Sequence, residues 1–258
     1  MVSLRNAMKK KKKQNIVETR DKLFPGGIKL SDLFNGRLIT RKPIYDFLIH
    51  NQAKLFGHLL DFGCGSMQYR QVFNNADKYI GLDVEEAEKN GFKPDNDVVL
   101  YDGRNIPFSK EYFDSCVAIE VLEHVEDLDY SLHEINRVIK LGGFFIFSVP
   151  MAFPIHLEPW DYRRFTPNGI KKMMEDNGFE IQTIEASTTA KNTIRRLKII
   201  ELSRNNDIAI RRVYRKVYTV YANICYLMEK DRGDKKRKTS KLPIDYLVLS
   251  KKVKRGYE

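Results

Sequence analysis

Asp61, Asp83 and Asp102 stand about twenty residues apart, each closing an apolar run, and two glycines follow the first of them in LLDFGCGS. A glycine turn after one run, with acidic residues closing the next two, can grip a nucleoside. Gly63 and Gly65 permit left-handed backbone and remove the Cβ atoms that would hold the chain away from a ligand. A carboxylate at 83 can accept hydrogen bonds from both ribose hydroxyls. Asp102 with Gly103 follows the next run, where a side chain can meet the exocyclic amine of an adenine. Each residue alone has an ordinary alternative as a cap or turn; their joint placement at successive run ends carries the reading. The third glycine of a dinucleotide fingerprint is missing. Ser66, Met67, Gln68 and Tyr69 follow Gly65, and no Lys-Ser/Thr pair follows for a triphosphate. The ligand that fits has adenosine and no phosphate.

These carboxylates need strand ends to stand on. Strand-like runs lie at 58–62, 79–84, 97–102, 115–121 and 143–149, with a sixth at 179–186 and a seventh at 245–252. Helical spacing covers 42–56, with Gly57 as its stop, and 128–140, with Leu141-Gly142-Gly143 as its stop. Thr166 and Pro167 suit the start of another helix that Gly178 ends. Apolar strands alternating with helices imply a parallel sheet covered on both faces. Before the seventh strand, Ile210, Val213, Tyr214, Val217, Tyr221, Ile224 and Met228 recur at helical spacing, with Arg211, Arg212, Arg215 and Lys216 opposite: an amphipathic basic helix.

Charge divides the chain. The formal net charge is +11, but residues 1–24 and 186–258 are strongly basic and the middle is acidic. That argues against a uniformly basic nucleic-acid-binding domain and puts any charge-driven contact at the ends. Three cysteines without metal-site spacing suggest a reducing cytosol. No signal-peptide-like stretch is expected at the start, and the longest apolar run, around 144–155, is too short to span a bilayer.

The stretches LLDFGCGS, YIGLDVEE, YDGRNIPFSKEYFDSCVAIEVLEHVEDL and EINRVIKLGGFFIFSVP together resemble the class I S-adenosylmethionine-dependent methyltransferases, in particular the broad type 11 small-molecule group. The resemblance covers about residues 40–186 and the last strand. It implies an α/β, Rossmann-like, doubly wound sheet of seven strands in the order 3-2-1-4-5-7-6, the last antiparallel, with a helical insert before it. It implies S-adenosylmethionine as cofactor, with Asp61, Gly63 and Gly65 facing the methionine part and Asp83 the ribose. Cys64 and Val84 join the cofactor site from the same two turns; Asp102 and Gly103 take the adenine end, and Glu120 lies beside the cofactor. Met67 stands where the family's third glycine usually is. Pro107 and Phe108 match a packing element, and Asp114 is expected to order the fourth strand. The domains expected are a basic flexible tail (1–24), a cofactor-binding core (25–186), a basic helical insert or cap (187–242), and the final strand and tail (243–258).

Methyl transfer to a hydroxyl requires in-line approach and removal of a proton. His124 in EVLEH and His156 in FPIHLEPWDYRRFTP are the candidates. The alternative for His124 is packing at a helix start. Trp160, Asp161, Tyr162, Arg163 and Arg164 share the loop of His156 and are expected on the substrate side; the alternative for that loop is a structural lid. No metal is expected; Glu120, Glu123 and His124 are the one set that could hold a hard cation, similar to the Mg²⁺ site of some O-methyltransferases. The stretch from Pro154 to Ile170 is similar to methyltransferases of surface-polysaccharide and glycan assembly, which implies O-methylation of a sugar or lipid-linked glycan, with 190–230 on the substrate side. Alternatives are a quinone- or secondary-metabolite-type small molecule, then RNA, then a non-catalytic binding module. The helix at 210–228 is expected to pack its apolar face on the domain or on a second copy, as in a homodimer, or to rest its basic face on an anionic membrane surface. The resulting location is cytoplasmic, or peripheral to the inner face of the membrane.

Overall fold

The computed structural model describes residues 30–85, 97–204 and 209–254. The tail expected over 1–24 lies outside them. The chain groups into two compact units. Residues 40–193 with the chain from 234 onward form one; residues 194–233 with those up to 39 form the other. The helical unit therefore takes in residues 30–39, which fall within the 25–186 stretch expected as the core.

Seven strands form one sheet: β1 (Gly57–Phe62), β2 (Ala76–Val84), β3 (Val98–Tyr101), β4 (Phe113–Ile119), β5 (Ile139–Pro150), β6 (Phe179–Ala186) and β7 (Asp245–Lys252). Their order is β3-β2-β1-β4-β5-β7-β6, with β7 antiparallel to both neighbours and the β3-to-β5 pairings parallel. Strand side chains alternate between faces, so consecutive apolar residues feed two cores. Leu60, Cys116 and Phe145 join Leu132 and Ile135 of α2 (Leu128–Val138) and Ile170 and Met174 of α3 (Pro167–Asp176). Their neighbours Leu59, Val117 and Ile146 join Ile44, Phe47 and Leu48 of α1 (Leu38–His50) on the other face. Each such side chain contributes about 1.5–3 kcal/mol by leaving water. Thr166 caps α3 by accepting the Gly169 N–H at 3.3 Å, with Pro167 at the first helical position.

Two helix ends differ from expectation. α1 spans 38–50, not 42–56, and Gly57 opens β1 rather than closing a helix. Gly57 has φ +63°, and a Cβ there would sit 2.3 Å from the Asp114 carboxylate. Asp114 accepts the His58 N–H at 2.9 Å and pairs with Lys140 at 2.6 Å, so it ties the starts of β1, β4 and β5 together. The second helix ends at Val138, and Leu141-Gly142-Gly143 lies within β5 instead of stopping a helix. There the register with β4 slips: Phe113 faces Ile139 but Ser115 faces Phe144. Gly142 takes φ +83° in that bulge.

The helical unit holds a 3₁₀ turn (Leu30–Phe34) and most of α4 (Ala190–Arg204) and α5 (Ala209–Lys238). α5 buries Thr219, Ala222, Asn223 and Tyr226. The Asn223 amide reaches the carbonyls of Leu33 at 2.8 Å, Asn35 at 3.1 Å and Asp32 at 3.3 Å, satisfying the end of the 3₁₀ turn. This fixes the rotation of α5. The Ile/Val/Tyr row, expected to pack inward or against a second copy, faces outward in the single chain. Among the described residues no helix is long and apolar enough to cross a membrane.

Candidate active site

The turn after β1 is held from both sides. Gly63 and Cys64 donate their N–H groups to Leu82 O on β2, at 2.8 and 3.2 Å. Gly65 donates to Asp83 Oδ2 at 2.8 Å, and Val84 N–H to Asp83 Oδ1 at 2.8 Å. The Asp83 carboxylate thus braces the turn at the end of β2. Each of its oxygens keeps a further lone pair, enough for two ribose hydroxyls. The two glycines differ in what they permit. A Cβ on Gly63 (φ +69°) would strike the Val121 side chain at 2.5 Å, whereas a Cβ on Gly65 (φ +45°) would meet no protein atom within 4 Å. Gly63 serves packing and Gly65 borders open space. Met67, in place of the third glycine, takes φ +51° without one. The open space at Gly65, the oriented carboxylate of Asp83 and the absence of a phosphate-type glycine loop fit S-adenosylmethionine.

Asp61 lies under this turn, buried, and accepts the Tyr79 hydroxyl at 2.7 Å. Burial raises its pKa from 3.8 to about 7, against the Tyr79 hydrogen bond and with help from the Asp83 charge. The folded chain then keeps a proton that the unfolded chain releases. Stability from this group is present at acid pH and is lost as pH rises from 3.8 to about 7. At about 1.4 kcal/mol per unit the loss approaches about 4 kcal/mol. In denaturant melts of the cofactor-free protein, Asp61→Asn should match the parent at acid pH and exceed it above pH 7. A gain that does not change with pH would contradict this assignment.

Asp102 spends its carboxylate on its own turn. Oδ1 accepts the N–H groups of Arg104 and Asn105, both at 2.8 Å, and those bonds lower its pKa. Gly103 follows at φ +79°. Glu120, just after β4, has φ +56° and is held by Ser148, whose hydroxyl donates to Glu120 Oε1 at 2.6 Å. Asp245, the first residue of β7, is buried beside it. Burial raises the pKa of both, and their mutual contact lowers that of Glu120 while raising that of Asp245 further. Glu123 is fully buried, neither of its oxygens accepts a hydrogen bond, and burial with the Glu120 charge raises its pKa to about 9.

Beyond β4 and β5 the chain brings two imidazoles together. His124 and His156 meet edge to face, ring centroids 4.8 Å apart. His124 Nδ1 lies 2.8 Å from Trp160 O, which fixes the proton on Nδ1 and leaves Nε2 as acceptor. Its burial lowers its pKa and favours the neutral ring. Asp161 accepts the backbone N–H of His156 at 2.8 Å and lies 3.2 Å from His156 Nδ1. Arg164 grips Asp161 with two hydrogen bonds, at 2.6 and 2.8 Å, and also donates to the carbonyls of Phe153 and Pro154. That grip holds the Asp161 carboxyl well below the usual carboxylate range. Arg163 turns away to the carbonyls of Val125 and Glu126 and packs over Tyr162. Trp160 and Tyr162 present exposed rings, Trp160 at 51%.

One ligand atom each from Glu123, His124 and His156 lies within 4.8 Å of the others, so these three are the described residues able to hold a cation. The set read from the sequence was Glu120, Glu123 and His124. Glu120 is not in the observed group, because Ser148 and Asp245 engage it. Asp245 and Ser148 are the contributors that sequence reasoning did not name. An aspartate opening the apolar strand DYLVLSKK was the available sign.

Every one of these groups sits at the carboxyl ends of the parallel strands or at the facing start of β7, where open α/β sheets bind ligands. Residues 60–147 match the family described as a methyltransferase domain. A Methanocaldococcus jannaschii protein described as uncharacterized is 27% identical over 217 residues, covering 83% of this chain and 82% of that one. A Mycolicibacterium smegmatis protein described as a probable S-adenosylmethionine-dependent methyltransferase is 26% identical over 149 residues, 54% of this chain and 57% of that one. In fold, a SAM-dependent methyltransferase of Thermotoga maritima is similar at a TM-score of 0.51 and 15% identity, covering 86% of this chain and 96% of that one. The domain match over 60–147, the 3-2-1-4-5-7-6 sheet and the turn that suits a phosphate-free adenosyl ligand give this chain a methyltransferase domain on a class I S-adenosylmethionine-dependent methyltransferase fold.

Proposed function

We propose that the chain methylates a hydroxyl of a sugar, free or lipid-linked, and that His156 takes the hydroxyl proton. The observation that carries this reading is the Arg164-held Asp161 carboxylate 3.2 Å from His156 Nδ1, which has no hydrogen bond of its own, beside the exposed rings of Trp160 and Tyr162. S-adenosylmethionine, when bound, supplies a methyl group activated on sulfur. An acceptor hydroxyl must lose its proton as its oxygen takes the methyl, and a positioned imidazole receives it. Asp161, kept ionised by Arg164, stabilises the imidazolium formed on His156. His124, neutral and with Nε2 3.6 Å from Glu123 Oε1, stands next to it as a second acceptor of protons. Exposed aromatic rings in a polar loop offer flat apolar faces to the C–H face of a pyranose, while Arg163 and Arg164 stiffen the loop through backbone carbonyls.

The test is transfer of labelled methyl from S-adenosylmethionine to a panel of sugar nucleotides, lipid-linked glycans, phenols and RNA. Label in a sugar-bearing acceptor, at oxygen, is the expected result. Label confined to phenols or to RNA would replace the acceptor class, and label in nothing with intact cofactor binding would favour a binding module.

A further inference from the structure

α5 carries an apolar row that the described residues leave exposed. Ile210, Tyr214, Val217, Tyr221, Ile224 and Met228, with Val213 beside them, are between 42% and 75% exposed. Their side chains expose roughly 800 Å², about what one partner gives to a standard protein interface. The spacing along the row is 4, 3, 4, 3, 4, the alternation of a seam between packed helices rather than of a face lying on a flat surface. The row is also symmetric about position 219. Turned end for end, Ile210 meets Met228, Tyr214 meets Ile224 and Val217 meets Tyr221, so every layer pairs one β-branched residue with one longer side chain. A parallel copy would instead set tyrosine against tyrosine and valine against valine. Charge favours the same orientation. Arg211, Arg212, Arg215 and Lys216 crowd the first half of the helix, and residues 217–228 carry no charge. An antiparallel pair sets each basic cluster beside an uncharged half; a parallel pair stacks the two clusters. By helical spacing these basic residues lie on the side away from the row, where they would point away from a lipid surface on which the row rested.

We infer that two copies of this chain associate through α5, antiparallel, with the seam centred near residue 219. The inference stands apart from the methyltransferase reading, since it uses no residue of the site. Sedimentation velocity of the full-length chain tests it. The expected species has twice the 30.2 kDa chain mass. Val217→Arg with Ile224→Arg, both at exposed positions, should weaken association at least about 100-fold while circular dichroism and cofactor binding stay unchanged. In a Cys225→Ser background, Ile210→Cys mixed with Met228→Cys should form a disulfide-linked dimer under oxidation, and neither variant alone should. A monomer at high concentration, a double variant that stays dimeric, or crosslinking of Ile210→Cys alone would each overturn the inference. So would a monomer that binds phosphatidylserine vesicles and loses that binding in the double variant.

Discussion

Gly65→Val abolishes S-adenosylmethionine binding and leaves the domain folded, whereas Gly63→Ala unfolds or strongly destabilises it. The contrast follows from what each added Cβ meets. At 65 it enters open space, so the folded chain bears only the strain of a side chain at φ +45°. At 63 it lands 2.5 Å from a Val121 methyl that is itself hemmed in by the core. Calorimetric titration should show at least about 100-fold weaker binding for Gly65→Val, about 3 kcal/mol, with a melting temperature lowered by only a few degrees. Asp83→Ala should lose binding as well, since it removes the ribose acceptors and the brace on Gly65. Near-normal affinity in both Gly65→Val and Asp83→Ala would overturn the assignment of this turn.

His156→Ala lowers kcat by about 10²- to 10⁴-fold on the acceptor found in the methyl-transfer screen, with cofactor affinity unchanged. Asp161→Asn falls in the same direction, because an amide cannot stabilise the imidazolium and Arg164 loses its charged partner. The two residues act through one proton, so the double variant should be little slower than His156→Ala alone. An undiminished kcat in His156→Ala, with His124→Ala inactive, would move the proton to His124. A fall in thermal stability that accounts for the lost rate would reduce Asp161 to a scaffold for the loop.

Much of the cofactor side was legible in the chain because it is local. LLDFGCGS is a strand and its turn, and Asp83 ends the strand that pairs next to it; sequence order and spatial order coincide. The acceptor side was legible only as a list of residue types. Its geometry comes from a loop folding back so that Arg164 finds Asp161 and Trp160 O finds His124, which periodicity does not report. Asp245 was hidden for a different reason. β7 inserts between β5 and β6 and runs against them, so Pro150 faces Asp245 across the sheet. Only that topology makes the first residue of the last strand a neighbour of Glu120. The orientation of α5 stayed open between the domain and a second copy because amphipathicity names two faces without saying which is inside. Asn223, uncharged and unremarkable in the sequence, decides it by satisfying three carbonyls.

The buried carboxyls beneath the strand ends also change the ledger of charge. The formal value of +11 treats every aspartate and glutamate as ionised. Burial raises Glu123 to about 9, so it stays protonated at neutral pH, leaves Asp61 at about 7 close to half-titrated, and pushes Asp245 the same way. The native molecule is therefore more cationic than its composition, because those buried carboxyls no longer offset lysines and arginines elsewhere. When it unfolds at neutral pH those groups meet water and surrender their protons, so denaturation acidifies the medium. The heat measured on melting then includes the heat with which the buffer takes the protons up, and it will differ between phosphate and Tris at the same pH.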